Sequence, residues 1–576
     1  MRIRDYLRPA WRALKRMRAP APAPTKPSLS SGPYTSVAAL VKAEPESWML
    51  ARTKARGGPK VLVATTVTGF NHIVQLESML GAALTLRGAE VHFLVCDAVL
   101  PACLRTKNSN MPTPDLFEQY RQPERICTQC MAEGRAHYEP LDLTIHRLGD
   151  TITAEERAGA RGLANTIPFA DIGGFTIDGL AVGEHAYAGA LRYFARGDIE
   201  GVPGAEVVVR RYLEASILAV RGVARLLDQL GDLRAAVFHH GIYVPQGLIG
   251  EVCRARNVSV VNWNPSYRKN TFIFSHGDTY HHTLMDEPVD TWAGMEWSPA
   301  HEAEIMSYLE SRFVGTRDWI WFHEKPDEDF DRFAAGMGLD RTKPIIGMLT
   351  NVMWDAQLHY PANAFPGMLD WTLETIRWFA GRPDLQLLIR VHPAEIRGTA
   401  RSMQPLVVEI AKAFPALPPN VFVIPPESPV STYAAMARCD SVIIYGTKTG
   451  VELTSMGTPV IVGGEAWIRN KGVTMDAHSR AEYFGFLDRL PIGKPLDGPT
   501  MSRARKYAFH FFFRRMVPLP FVEPADKEAY VMALRSLDDL KPGAFAGLDV
   551  ICDGILEGTP FVYEAERLGL HDRVRA

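Results

Sequence analysis

The sequence predicts an α/β protein in which two Rossmann-like domains are followed by a helical C-terminal extension. Three observations predict it. Short apolar, β-branched runs alternate with amphipathic stretches from residue 60, the alternation restarts at residue 343 after a polar interval, and 576 residues exceed the usual extent of one hydrophobic core. The domains read as a basic N-terminal helix and Pro/Ala-rich tether over 1–58, a first Rossmann-like domain over 59–335, a second over 341–495, and a helical tail over 500–576 that packs back on the first domain.

Taken in order, residues 1–17 carry Arg2, Arg4, Arg8, Arg12, Lys15 and Arg16 beside Ile3, Leu7, Trp11 and Leu14 at helical spacing. Such a basic amphipathic helix can lie on an anionic membrane surface, and its alternative is a solvated terminus. APAPAPTKPSLSSGP then forms a tether without a core. VLVATTV and VHFLVCD read as strands around an amphipathic helix that Gly88 closes, and the stretch from about 106 to 171 is less regular and rich in charge and proline. A long helix spans 206–231, followed by a strand at AAVFHHG, a helix at GLIGEVCRARN and a strand at VSVVNW. Beyond Thr283 come polar helices up to PDEDFD at 326–331, whose Asp327, Glu328 and Asp329 read as a solvated face.

The second alternating set is PIIGMLTNV, WTLETIRWFAG, LQLLIRV, PLVVEIAKAF and VFVIP, followed by VIIYGTKTGVELTSMGTPVIV. The last run is a βαβ unit: a strand at 442–445, a turn at 446–450, a helix at 451–456 and a strand at 459–462. From Met501 onward the tail reads as helical. Its aromatic run of Tyr507, Phe509, Phe511, Phe512 and Phe513 suits either a lipid surface or a core that bridges domains.

Composition excludes several classes. Lys plus Arg (63) nearly balances Asp plus Glu (65), giving a net charge of −2, so a general nucleic-acid binder is not expected. No apolar run reaches the roughly 18 residues that cross a bilayer, and no apolar h-region follows the basic N-terminus, so a cytoplasmic location is expected, at the inner face of the membrane where the N-terminal helix is used. Seven cysteines, an odd number, do not suggest a disulfide framework. Four of them, Cys96, Cys103, Cys127 and Cys130, cluster and include a C-x-x-C pair; they read as buried inert thiols or as a metal site.

The turn of Gly446, Thr447, Lys448, Thr449 and Gly450 places backbone N–H groups, two hydroxyls and the positive end of a helix where a phosphate fits, and Glu452 in the first helical turn suits ribose hydroxyls. Arg390 and His392 end the strand LQLLIRV, so that one anion can touch them together with the turn. Ser428–Tyr433 reads as a hydroxyl cap, and Asn351 and Asp355 can face the same cleft. In the first domain Glu184, His185 and His240 are the candidate acceptor bases, with Tyr243 and the group from Ser275 to His282 nearby. No H-E-x-x-H motif is present, so transfer without a metal is the simpler mechanism.

RVHPAE at 390–395, the run from Ser428 to Val462 and the RNKGVTMD that follows resemble bacterial capsule and surface-polysaccharide biosynthesis proteins. Those are glycosyltransferases of GT-B type and include the transferases that use CMP-Kdo. VGEHAYAGALRYF and NWNPSYRKNTFIFSHGDTY resemble the same group more loosely. The resemblance implies a GT-B architecture, with donor domain 341–495 contacting the nucleotide sugar through Arg390, His392, Thr447, Thr449 and Glu452, and an acceptor over domain 59–335. It implies no cofactor, a CMP- or UDP-linked sugar as substrate, a glycan or lipid-linked glycan as acceptor, peripheral contact with the inner membrane and no nucleic-acid partner. It transfers no catalytic base. The alternatives are a sugar-nucleotide 2-epimerase, a polyol-phosphate transferase and a non-catalytic assembly subunit.

Overall fold

The computed structural model describes residues 35–111, 113–114, 124–312, 317–318, 327–356, 358, 362–398, 400–526 and 529–570; the basic N-terminal helix and most of its tether lie outside the described residues.

The first lobe is built on β1 (Lys60–Thr66), β2 (Glu90–Val95), β3 (Thr144–Arg147), β4 (Ala235–His239), β5 (Val260–Pro265) and β6 (Thr271–His276). β1 to β5 pair in parallel, and β6 runs antiparallel to β5. β1 and β4 are buried along nearly their whole length, as their continuous apolar sequences require of a sheet covered on both faces. The second lobe is an all-parallel six-stranded sheet of β7 (Ile345–Leu349), β8 (Gln386–Arg390), β9 (Val421–Ile424), β10 (Ser441–Ile444), β11 (Val460–Val462) and β12 (Met475–Asp476). Two Rossmann-like sheets in one α/β chain are thus present, the arrangement called GT-B.

Several strands depart from the sequence reading. β3 falls in the stretch read as irregular, and β6 reverses direction in a segment where no strand was expected. The tail is not helical throughout. β13 (Val517–Pro518) pairs with β6 and extends the first lobe's sheet, while β14 (Val522–Asp526) and β15 (Ala529–Met532) form a hairpin. Gln75, on the helix Asn71–Leu86, receives the Tyr530 N–H at 2.7 Å and donates to the Tyr530 carbonyl at 3.0 Å, which docks that hairpin. Periodicity could not find these strands, because short strands at sheet edges take their stability from a distant partner rather than from local pattern.

The tail helix Gly498–Phe509 and the π-turn His510–Arg514 run between the lobes. Arg505 donates to the Ser455 carbonyl at 3.0 Å in one lobe and pairs with Glu302 in the other. Phe511, Phe512 and Phe513 are at most 1% exposed, so the aromatic run belongs to the core that joins the lobes and not to a lipid-facing surface.

Candidate active site between the lobes

In a doubly wound sheet, ligands bind beyond the carboxyl ends of the strands where the order of connection reverses. The first sheet has the order β13-β6-β5-β4-β1-β2-β3, so its reversal lies between β1 and β4. β4 ends at His239, and His240 follows. The second has the order β12-β11-β10-β7-β8-β9, so its reversal lies between β7 and β10. Asn351 follows β7, the 446–450 turn follows β10, and the Asn351 side-chain amide donates to the Gly446 carbonyl at 2.5 Å.

The two reversal points are tied together across the cleft. The Tyr243 hydroxyl, in the first lobe, donates to Asp355 Oδ1 at 3.0 Å and accepts the Ala356 N–H at 2.9 Å. Lys448 Nζ stands 4.9 Å from the centre of the Tyr267 ring, a cation on an aromatic face contributed by the other lobe. Trp467 of the second lobe lies 5.5 Å from Tyr280 and 5.9 Å from His281, so aromatic rings from both lobes wall the cleft.

On the second lobe, the helix Thr449–Ser455 starts two residues earlier than its apolar pattern suggests, because the Thr447 hydroxyl accepts the Thr449 N–H at 3.3 Å. The Thr447 and Thr449 hydroxyls are 3.2 Å apart. Gly450 is required by packing: a Cβ there would stand 2.6 Å from Ile444 Cδ1 and 2.9 Å from Ile468 Cγ2. The Ala394 N–H donates to His392 Nδ1 at 3.1 Å, which places the imidazole proton on Nε2. Burial first, then Lys448 and Arg390, lowers the His392 pKa to about 4. His392 is therefore a neutral hydrogen-bond donor at neutral pH.

Two expected ligand contacts are corrected. Arg390 is 1% exposed, and its guanidinium donates to the Pro425 carbonyl at 2.6 Å, the Ser428 carbonyl at 3.2 Å and the Thr432 hydroxyl at 3.3 Å. Its fork holds the 425–432 loop instead of a phosphate. Arg390→Lys keeps the charge but loses this geometry, so it is expected to cost about 1–3 kcal/mol of stability. Thermal unfolding should register that loss while nucleotide affinity of the folded protein stays unchanged.

Glu452 is fully buried, with Lys448 Nζ at 2.8 Å and Arg312 Nε at 3.1 Å from its Oε1, so it cannot present its carboxylate to ribose. Burial opposes its charge, yet Arg312 and Lys448 hold its pKa below the ordinary value. Arg312 caps the helix Pro299–Ser311 of the first lobe and also pairs with Asp318. The chain Arg312–Glu452–Lys448 is thus an ionic clamp through the lobe interface that aims Lys448 into the cleft. Neither Arg312 nor Trp467 carries a motif that could have announced it; both reach the site through tertiary packing.

On the first lobe, His240 has φ +68, a left-handed conformation costly for a residue with a Cβ. Its ring lies 5.0 Å from Tyr243 and 6.0 Å from His281, and its buried Nδ1 meets no hydrogen-bond partner among the described residues. Burial, then Arg192, lowers its pKa to about 3, which makes it a weak base. Glu184 is half-buried in the first turn of the helix Val182–Phe194, and Gly183 lets that turn approach closely, since a Cβ there would stand 1.8 Å from the Ile172 carbonyl oxygen. Glu184 and, from the second lobe, Glu465 both act electrostatically on His282, which pairs with Asp278 at 2.9 Å. His185 is corrected: it is 3% exposed, its Nδ1 donates to the Ile242 carbonyl at 2.5 Å and its Nε2 lies 3.9 Å from Glu251, so it braces the 240–245 loop and faces no substrate.

Three histidines around this cleft, His240, His281 and His392, have pKa values lowered to about 3, 3 and 4, in each case first by burial. A depressed folded pKa means that the stabilisation is present above the unfolded value of about 6.5 and is lost as pH falls toward the folded value. The thermal midpoint is therefore expected to drop between about pH 6.5 and pH 4, and His240→Asn should flatten that slope.

No protein-family model matches the chain, and no curated protein matches it. Among solved structures, the KpsC beta Kdo 2,4 transferase of Thermosulfurimonas dismutans aligns at 12% identity over 48% of this chain and 79% of its own, with a TM-score of 0.31. The UDP-GlcNAc 2-epimerase of Neisseria meningitidis bound to UDP-GlcNAc aligns at 10% identity over 78% and 98%, TM-score 0.26. A glycosyltransferase of Rickettsia africae aligns at 9% over 87% and 100%, TM-score 0.25. At these values the activities of those proteins stay with them. Among the described residues no helix is long and apolar enough to cross a membrane.

Proposed function

We propose that this chain is a glycosyltransferase of GT-B type that moves a sugar from a nucleotide-sugar donor, CMP- or UDP-linked, to a surface-polysaccharide acceptor. The observation that carries this reading is the meeting of both sheets' reversal points in one cleft furnished with a cation, a neutral imidazole donor and aromatic walls. The second lobe takes the donor. Lys448 and the His392 Nε2–H offset charge on the departing phosphate, and the Thr447 and Thr449 hydroxyls orient it.

The acceptor approaches from the first lobe. Its hydroxyl oxygen forms the new bond to the anomeric carbon, the bond from that carbon to the phosphate oxygen breaks, and the electron pair leaves with the nucleotide. The hydroxyl proton passes to Glu184, a half-buried carboxylate in the first turn of its helix, since burial disfavours the protonated form of His240. His240 instead contributes its ring to the acceptor wall. Glu184→Gln is expected to lower kcat by about 10²–10⁴-fold, the range of general base catalysis, without weakening nucleotide binding.

A magnetic resonance time course with CMP- and UDP-linked sugars, with and without a capsular glycan, tests the assignment. Donor consumption that requires the glycan is expected. Conversion of the donor sugar without any acceptor would make the protein an epimerase, and, in a parallel mixture with a CDP-linked polyol, release of CMP as the polyol phosphate joins the glycan would make it a polyol-phosphate transferase. An inert donor in every mixture would leave an assembly subunit.

A further inference from the structure

We propose that Gln404 is a positioning residue for sugar transfer, holding the donor lobe against the helix that carries Glu184; the inference rests on the glycosyl-transfer reading. On one face of the first sheet the lobes share a continuous apolar core, in which Leu349 and Val462 of the second lobe cluster with Trp263 and Phe274 of the first and Phe511 of the tail. The helix Val182–Phe194 lies on the other face. Val61 and Val63 of β1 belong to the shared core, whereas Leu62 and Ala64 belong to a separate core with Ala186, Ala190 and Leu191. Among the described residues that separate core holds none from the second lobe.

On this face the lobes are joined by hydrogen bonds at the C-terminal end of the helix. The carbonyl of Ala195, its left-handed cap at φ +51, accepts the Met403 N–H at 2.9 Å, and Arg196 Nη1 donates to the Met403 carbonyl at 3.1 Å. Gln404 is 6% exposed, and its Oε1 accepts the Gly197 N–H at 3.0 Å and the Asp198 N–H at 3.1 Å. One side-chain oxygen thus satisfies two successive backbone donors of the opposite lobe. Gly197 permits this approach, since a Cβ there would stand 2.7 Å from Met353 Cβ.

Each side of the junction leads to a group used in transfer. The helix that ends at Phe194 has Glu184 in its first turn, and its Arg192 lies 5.0 Å from the ring of Tyr243. Gln404 belongs to the segment that follows β8 and His392. There the Ser402 N–H donates to the Glu395 carbonyl at 2.7 Å, and the buried Glu395 carboxylate accepts the Leu406 N–H at 3.3 Å. Trp354 Nε1 donates to Ser402 Oγ at 3.0 Å, one residue from the Asp355 that receives Tyr243. The loop is thus fixed to its own lobe on both sides of Gln404, which passes that position on to the helix of the base. A shift of about 1 Å between reacting groups can cost about 10²-fold in rate.

The test compares the full chain with Gln404→Ala and Gln404→Glu. Glutamate keeps the accepting oxygen, and Arg196 stands nearby to offset its charge. Hydrogen exchange of the Gly197 and Asp198 amides is expected to quicken about tenfold in Gln404→Ala, as loss of one hydrogen bond requires, and to stay near wild type in Gln404→Glu. With a nucleotide sugar and glycan, Gln404→Ala is expected to lose about 10- to 10²-fold in kcat while the nucleotide Kd is unchanged, and Gln404→Glu to recover the rate. Equal exchange in wild type and Gln404→Ala, or full kcat in Gln404→Ala, overturns the proposal. A wild type that extends no glycan overturns the transfer reading and the role assigned here with it; amides that Gln404→Ala still deprotects then show the junction itself intact, which tells the two failures apart.

Discussion

Lys448→Met is expected to lower kcat/KM for sugar transfer by about 10²–10³-fold, about 2.7–4 kcal/mol, the cost of removing one preorganised charge-stabilising donor from a dehydrated site. Lys448 lies where three constraints meet. The turn after β10 supplies its position, Glu452 at 2.8 Å supplies its counter-charge, and Tyr267 at 4.9 Å supplies a face from the opposite lobe. Methionine keeps the stem and its packing while deleting the charge, and Arg312 remains on Glu452, so the fold is expected to survive. Steady-state kinetics on the folded variant, beside its thermal midpoint, separate loss of transition-state stabilisation from loss of structure. A variant with near-normal kcat/KM would remove Lys448 from the phosphate site.

Arg312→Met is expected to destabilise the protein more than any other single change considered, by about 3–5 kcal/mol, because it leaves the buried carboxylates of Glu452 and Asp318 short of a partner. Lys448 is not enough to replace it, since burial still opposes its charge and Asp318 loses the guanidinium that pairs with it. Pairing Arg312→Met with Glu452→Gln removes one of the two carboxylates left short of a partner, Asp318 being the other, and should recover part of the loss. Thermal unfolding of the two single variants and the double measures that coupling. Additive effects would show that the two residues do not act as one clamp.

Much of the fold was legible because alternation of apolar runs with amphipathic helices is a local signal. The βαβ unit around the 446–450 turn is the plainest case, and its position at a strand reversal is what makes it a candidate site. What stayed hidden depends on partners remote in sequence. An arginine at the end of a strand looks the same whether it faces a ligand or folds back onto a loop, and three acceptors between Pro425 and Thr432 decide the matter for Arg390. Glu452 looked like a ribose ligand because its counter-ion Arg312 belongs to the other lobe. His185 and His240 looked equivalent as bases, yet one is braced against the Ile242 carbonyl while the other is held in left-handed backbone at the end of β4. The antiparallel return of β6 and its pairing with β13 were invisible for the same reason, since edge pairing is a tertiary event.

Isothermal titration of CMP and UDP into the wild-type chain, Lys448→Met, His392→Ala and Arg390→Lys tests the phosphate pocket most directly. Saturable binding of one nucleotide per wild-type chain is expected, weakened about tenfold or more in the first two variants, as the loss of a charge-assisted contact requires, and unchanged in the third. No binding of either nucleotide to the wild type, or affinity indifferent to Lys448 and His392, would contradict a phosphate pocket between the lobes.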